Sequence, residues 1–547
     1  MRPPMKAAVI IAVLLVLLTC LGAWIYARRP QAAPVEHVKV WLVLSPEEGL
    51  VLHDEMARQL ASAFETWYKE HHGTPAVVEV EFKSFEEFRT SLAFGGLDFD
   101  VLMAGTLELV EGHEDLFTPY NSTVKEELLE LVPNGTYCGC PIMELNTTTP
   151  RWYAWCFHAP CLLYDPGAFD PPSTWDGLAN KCLRLENALL VPDPAGDPYV
   201  RDLPLSIYAY EAWALGNESL GWARAWNITL FIWATSGNMT REPWVRAVGL
   251  PWGNYSAILC SDMIAYHIIV EAGHGWLAIR YLNGTLLRPS PILLKPRPGR
   301  VEVSRAFVDF VLSKEGQSII AGYLMPIRPD VDARGPVLSP FSEGFPVVRK
   351  VNETFLDMAS DMVEDYHECW LVKPYEDLRE AWWWVRKANM TKTTNPNATK
   401  YLRWALGNFT RISVYLNRTY VDRLYNETGR WVNKTDVVKE WEREARRAYD
   451  RALENAKTFI EQAGGLSAYG PQAPSRPTLM GLPFTEDLRM ASHIERALRP
   501  FLPDTRGSLP LRTQSTKCSS SILRGSSHLS LILRTSPPEE NSISWLR

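Results

Sequence analysis

Val38-Lys-Val-Trp-Leu-Val-Leu44 is an apolar run of strand length, and its junction with Ser45-Pro46-Glu47-Glu48 decides the fold. That junction supplies a capping hydroxyl, a proline whose φ is already set for a first helical position, and an acidic third position, which predicts a helix start. Met56, Leu60, Phe64 and Trp67 recur at helical spacing, so one face of that helix packs on a sheet, and His71-His72-Gly73 ends it. Ala76 to Phe82 alternates as a strand. Ser84-Phe-Glu-Glu87 repeats the capping box and opens a helix to about Ala93, and Asp98-Phe-Asp-Val-Leu-Met103 is a third strand ending at Ala104-Gly105. Strand–helix–strand–helix–strand with short links predicts an α/β fold with a parallel sheet. Ligands of such sheets bind at the carboxyl ends of the strands, here Ser45 to Glu48 and Ala104 to Thr106. No GxGxxG comes after the first strand, which disfavours a dinucleotide site. Asp98 and Asp100 fall on one face near a strand edge, where a structural role is expected.

The rest of the chain fixes the compartment. Fifteen Asn-x-Ser/Thr triplets start at Asn121, Asn134, Asn146, Asn217, Asn227, Asn238, Asn254, Asn283, Asn352, Asn389, Asn397, Asn408, Asn417, Asn426 and Asn433, against about two or three expected by chance. Such triplets accept a bulky, solubilising glycan, so this density predicts an outward-facing glycoprotein. Ala7 to Tyr26 is an uncharged apolar run between Lys6 and Arg28-Arg29, long enough at about 1.5 Å per residue to span a hydrocarbon core. It reads as an uncleaved N-terminal membrane anchor, with a removed signal peptide as the alternative; everything after it is outside the cell. Cys138, Cys140, Cys156, Cys161, Cys182, Cys260 and Cys369 match no common zinc spacing, and outside the cell they are expected to form disulfides of unspecified connectivity. A net charge of −7 with mixed signs gives no nucleic-acid footprint. The 21 tryptophans read chiefly as packing.

At 547 residues the chain divides into several parts. Residues 1–36 are anchor or signal and linker, 37–140 a first lobe, 141–258 a Cys-, Trp- and Pro-rich second lobe, and 259–345 a return to the first. Residues 346–465 form a helical extension in which Glu440 to Gln462 is one long helix ended by Gly464-Gly465. Residues 466–547 read as a disordered tail or one translated past a frame error, since Thr505 to Pro538 holds no acidic residue.

Three stretches resemble the extracellular solute-binding proteins of ABC importers, in the group with iron(III)- and small-anion-binding members. Trp152-Tyr153 through Leu163-Tyr164-Asp165-Pro166 resembles the entry to the second lobe, and Pro172-Ser-Thr-Trp175-Asp-Gly-Leu178 with Leu190-Val-Pro-Asp-Pro194 resembles the group's "TW-x-DLL … PDP" pattern. Ala306-Phe-Val-Asp-Phe-Val-Leu-Ser-Lys-Glu-Gly-Gln317, continued by Met325-Pro-Ile-Arg-Pro-Asp330, is the most specific. The resemblance covers about 38 to 335 and implies a two-lobed, type II periplasmic-binding-protein-like fold, with a solute held between hinged lobes and passed to importer permease subunits. It departs from the iron-binding members in having no tyrosine pair around Gly253 to Asp262.

The ligand-binding residues expected from this resemblance are Ser45, Glu47, Thr106, Trp155, Asp197, Ser261 and Asp262. The acids suit a cation or amine, the hydroxyls beside helix starts suit an oxyanion, and Trp155 suits a sugar ring. Each also has a plain structural role open to it, as cap, loop start or packing. No cofactor, resident metal or catalytic step is expected. A structural surface glycoprotein is the main alternative. An extracellular hydrolase is disfavoured, because His367-Glu368 is followed by Cys369 without completing HExxH, and GxSxG is missing. Dense sequons, an anchor and an importer-type receptor together point to an archaeal source.

Overall fold

In the computed structural model the apolar run folds as strand β1, Glu36–Ser45. The structure describes residues 15–20, 35–45, 52–185, 188–193, 203–240, 255–342, 345–346, 359, 362–391, 393, 395–412 and 433–463. Helix α1 (Asp54–His72) comes next, then β2 (Ala76–Ser84), α2 (Phe85–Phe94) and β3 (Val101–Ala104). Of the two capping boxes expected to open helices, the second does; the residues that follow the first, 46–51, lie outside the described residues. Ser84 Oγ accepts from the Glu87 N–H at 3.1 Å while the Glu87 carboxylate accepts from the Ser84 N–H at 2.6 Å. Ser45 is the last residue of β1, and α1 runs from Asp54 after His53 in the left-handed region (φ 61). Asp54 and Glu55 there supply the negative charge that the amino-terminal end of a helix favours. Gly73 ends α1 with φ 72 and its N–H on the Lys69 carbonyl, as expected.

The chain then forms β4 (Trp152–His158), β5 (Pro160–Tyr164), α3 (Trp175–Arg184), β6 (Leu189–Pro192), α4 (Leu203–Leu215), α5 (Glu218–Thr235), β7 (Asn238–Thr240) and β8 (Ala257–Ser261). It returns through α6 (Asp262–Tyr266), a π-turn at His267–Glu271, β9 (Ala278–Arg280), β10 (Arg288–Leu294), α7 (Val301–Leu312) and α8 (Lys314–Ile320). Two five-stranded sheets result. One runs β2-β1-β3-β10-β4, the other β9-β5-β8-β6-β7. β1 lies parallel to β2 and β3, as the sequence pattern requires, and β10 is antiparallel to β3 and β4. Phe64 of α1 meets Phe307 and Phe310 of α7 edge-on, at ring centroids 5.1 and 5.8 Å apart, so both helices cover one face of the first sheet. The fold is α/β, with two separate sheets.

Three further helices, α9 (Tyr375–Met390), α10 (Pro396–Phe409) and α11 (Lys434–Gln462), lie beyond residue 346. α9, α10 and the helical stretch 362–372 before them pack on α5, a helix buried on nearly every side, and α11 packs on α9, α10 and that stretch. Trp226 lies 4.5 Å from Tyr366 and 6.2 Å from Trp370, and Phe231 lies 5.3 Å from Trp382. Many of the tryptophans are therefore core rather than loop. On α11, Ala445, Ala448, Ala452 and Ala456 form a small-residue stripe between buried Trp441 and Phe459, which lets α10 approach closely.

Six described sequon asparagines, Asn121, Asn134, Asn146, Asn217, Asn397 and Asn433, are exposed. Asn238, Asn283, Asn389 and Asn408 are half-buried, and so is Asn227, which lies on α5 with its amide oxygen buried and no partner among the described residues. Asn254, Asn352, Asn417 and Asn426 lie outside the described residues, as does the tail 466–547. No disulfide is formed among the eight described cysteines in this structure, so the expected connectivity stays open. Burial pushes the Cys182 and Cys369 thiols up to about 12, as for small apolar core groups. Among the described residues no helix is long and apolar enough to cross a membrane; of Ala7 to Tyr26 only residues 15–20 are described, as helix.

Candidate functional site

The two sheets are joined where β4 runs into β5 through Ala159 and where β9 returns to β10 through residues 281–287. Asp262, buried to 1 % exposure, ties these joints together. Its N–H donates to the Ala159 carbonyl at 3.0 Å, its Oδ1 accepts from the Ala159 N–H at 3.2 Å, and its Oδ2 accepts from the Tyr281 hydroxyl at 3.2 Å. Burial and this carboxylate together hold the Tyr281 phenol well above its ordinary range. Ser261 caps α6 by accepting from the Ile264 N–H at 3.3 Å. Both residues, expected from the resemblance to face a ligand, lie at the junction of the two sheets with these polar contacts to protein groups.

Trp155 is fully buried in β4. Its indole N–H donates to the Ala104 carbonyl at 3.1 Å and its own carbonyl accepts from Gln317 Nε2 at 2.9 Å, so its ring offers no open stacking face. The Ser290 hydroxyl holds the next carbonyl, Gly105, at 2.7 Å. These two bonds clamp the carboxyl end of β3, and Thr106 comes next at 8 % exposure with a hydroxyl that makes no cap bond to the short turn Leu107–Leu109. Ser45 closes β1 opposite Ser84. Ser45 and Thr106 therefore end neighbouring parallel strands. Glu47 and Asp197 lie outside the described residues.

The Ser313-Lys-Glu-Gly-Gln317 stretch, the strongest point of resemblance, works on this same joint. Ser313 Oγ accepts from the Gly316 N–H at 3.2 Å, and a Cβ on Gly316 would stand 2.1 Å from the Phe310 carbonyl oxygen. Gln317 donates to the carbonyls of Val311 (3.0 Å) and Trp155 (2.9 Å) and accepts from the Ile327 N–H at 2.9 Å. It fastens α8 and the Met325-Pro-Ile-Arg segment to β4.

Sequence reasoning missed a cluster beside α6. His53 is fully buried, and neither ring nitrogen has a hydrogen-bond partner among the described residues. Its ring lies 5.2 Å from Tyr266, which lies 5.6 Å from Tyr323. Burial drives His53 down to about 4, so it is neutral at physiological pH. His267 Nδ1 and Glu271 Oε2 are 2.5 Å apart. Burial alone would raise Glu271, but the His267 ring and the His53 backbone N–H outweigh it and hold the carboxyl below its usual range. Tyr266, Tyr323, Glu55, Gln59, Glu271 and Arg334 line a cavity of about 460 Å³. Burial raises both phenols, and the Glu55 and Glu271 carboxylates add to the rise at Tyr323. Ser318, also in the lining, has its hydroxyl on the Lys314 carbonyl at 2.7 Å. Two carboxylates and two tyrosine rings against one arginine suit a positively charged guest. The only sequence signal was spacing: His267 and Glu271 stand one helical turn apart. Among the described residues no group of three or more His, Cys, Asp or Glu is placed to hold a metal ion.

Asp98 and Asp100 lie at the opposite, amino end of β3. Asp100 accepts from Arg297 Nε (2.9 Å), Arg300 Nη1 (3.1 Å) and the Lys39 N–H (2.9 Å). Burial alone would raise it, but these partners hold it down to about 2. It is a structural clamp.

No family model and no curated protein matches the chain. Among solved structures, iron-bound HitA from Pseudomonas aeruginosa is similar over 60 % of this chain and 98 % of its own, at 18 % identity and a TM-score of 0.43. The ferric binding protein from Campylobacter jejuni matches over 62 % and 99 %, at 18 % identity and 0.42. The periplasmic binding protein AfuA from Actinobacillus pleuropneumoniae, bound to exogenous fructose-6-phosphate, matches over 61 % and 99 %, at 16 % identity and 0.40. At these identities and scores the likeness assigns no ligand to this chain.

Proposed function

We propose that this chain is the extracellular substrate-binding component of an ABC importer, closing two lobes over a small solute and delivering it to the permease. The observation that carries this reading is the Asp262 joint: two sheets joined through Ala159 and 281–287, with one buried carboxylate bonded to both connections. A joint of this kind lets two rigid bodies swing while their interiors stay intact. Among the described residues, nothing in the cavity lining pairs a nucleophile with a base, and recognition without a covalent step is what that lining favours.

The solute we infer is positively charged, an organic amine or a hard cation. Glu55 and Glu271 bring two carboxylates to the cavity, and Ser45 and Thr106 bring hydroxyls to the strand ends. Glu47 and Asp197, expected from the sequence to face the solute, would add two further carboxylates. The chain is proposed to sit outside the cell, held by Ala7 to Tyr26, with glycans on exposed sequons. The archaeal source rests on sequon density, the anchor and the receptor type together. Calorimetric titration of the full-length protein against amines, metal ions, oxyanions and sugars tests the reading. One cationic class is expected to bind with one-to-one stoichiometry. Absence of heat and of any thermal shift across the panel sinks it, and leaves the structural surface glycoprotein that the six exposed sequons also support.

A further inference from the structure

Cys161 and Cys260 are direct partners in the antiparallel pairing of β5 with β8. Directly opposed residues of an antiparallel pair point to one face with their Cα atoms about 4.5–5.5 Å apart, inside the roughly 4.4–6.8 Å window that a disulfide requires. Both are fully buried, one residue inward from the Ser261–Pro160 pair and two from the Asp262–Ala159 joint.

We propose that Cys161 and Cys260 form a cross-strand disulfide in the exported protein, fastening the first crossing strand to the strand that leads into α6 at the root of the hinge. This rests on the extracellular location proposed above, not on the identity of the solute. Formation takes two electrons and two protons from the pair. The thiolate of one cysteine attacks a disulfide of an exported dithiol oxidase or of oxidised glutathione, and one thiol leaves. The second cysteine then attacks the mixed disulfide, closing the Sγ–Sγ bond and releasing the other thiol. Because both thiols are buried in the finished sheet, the exchange belongs to folding, before β5 and β8 close.

The test is peptide mapping of full-length protein purified from its own cells, denatured in iodoacetamide without reductant. The expected result is a linked pair of peptides carrying Cys161 and Cys260, both unalkylated and short of two hydrogen atoms. Both residues recovered alkylated, or either one linked to a different cysteine, overturns the proposal. Glycan occupancy at Asn121, Asn134 and Asn217 in the same digest reports the location separately. Glycans beside alkylated Cys161 and Cys260 reject the disulfide alone, and a link without glycans supports it while rejecting the surface location. As a second readout, dithiothreitol is expected to lower the Tm of the wild-type protein by roughly 5–10 °C, because the bond closes a long loop. The Cys161→Ser, Cys260→Ser double variant is expected to show no such shift. An unchanged wild-type Tm counts against the bond.

Discussion

Gln317 has every polar atom of its amide committed: two carbonyls accept from it and the Ile327 N–H donates to it, all in a fully buried setting. Gln317→Ala is expected to cost about 3 kcal/mol of unfolding free energy, since each bond contributes about 1 kcal/mol and a buried N–H is left without an acceptor. Urea denaturation with an unchanged m-value checks it, and a loss under about 1 kcal/mol would show the bonds to be dispensable. His53 and His367 bear on pH. Burial lowers them to about 4 and about 3, below the unfolded value near 6.5, so both fold as neutral rings. The stability this contributes is fully present above about pH 6.5 and is lost as pH falls through the folded values, by about 1.4 kcal/mol per pH unit for each ring. His367→Leu should make the acid limb between pH 6 and 4.5 shallower in thermal-shift measurements. A slope unaltered by the substitution would remove this ring from the account. At this scale the sequence is only partly legible. Ser261, Asp262 and Trp155 stand out by position, but residue type cannot show that their polar atoms are engaged by Ile264, Ala159, Tyr281 and Ala104. His53 carries no local signal, because its importance comes from Tyr266 and Glu271, more than two hundred positions away.

Among the elements, local chemistry is a good guide where the chain alone decides and a poor one where tertiary packing does. The Ser84 box acts within a single turn and forms as expected. Ser45 ends β1 opposite Ser84, and the turn its own box would open lies outside the described residues. The three parallel strands are legible from alternation and spacing. The position of β10 between β3 and β4 is not, since it is set by a return of the chain from the second sheet. The helical extension is visible in its charge and aromatic pattern, but its seat on α5 is not. That seat makes a prediction: Trp226→Ala removes a ring packed between Tyr366 and Trp370 and should cost about 3–5 kcal/mol. Limited proteolysis should then release fragments within 362–463 before the first sheet is cut. Cleavage in the wild-type order would show that the extension is not held by this contact.

For the whole molecule, two sheets meet at one buried carboxylate, and the helix that starts at that carboxylate carries Tyr266 into the lining of the acidic, tyrosine-lined cavity. Nothing in composition or periodicity can locate the cavity, which depends on α1, the π-turn after α6 and the turn at Gly322-Tyr323 converging from distant parts of the chain. The central claim is mechanical, that these two bodies close over a cationic solute. Small-angle X-ray scattering of the full-length protein, with and without the amine or metal ion that gives the strongest calorimetric signal, tests it most directly. The account predicts a smaller radius of gyration on saturation, with the change abolished in a Glu55→Gln, Glu271→Gln variant that still folds. An unchanged radius at saturating ligand, or the same contraction in that variant, would contradict it.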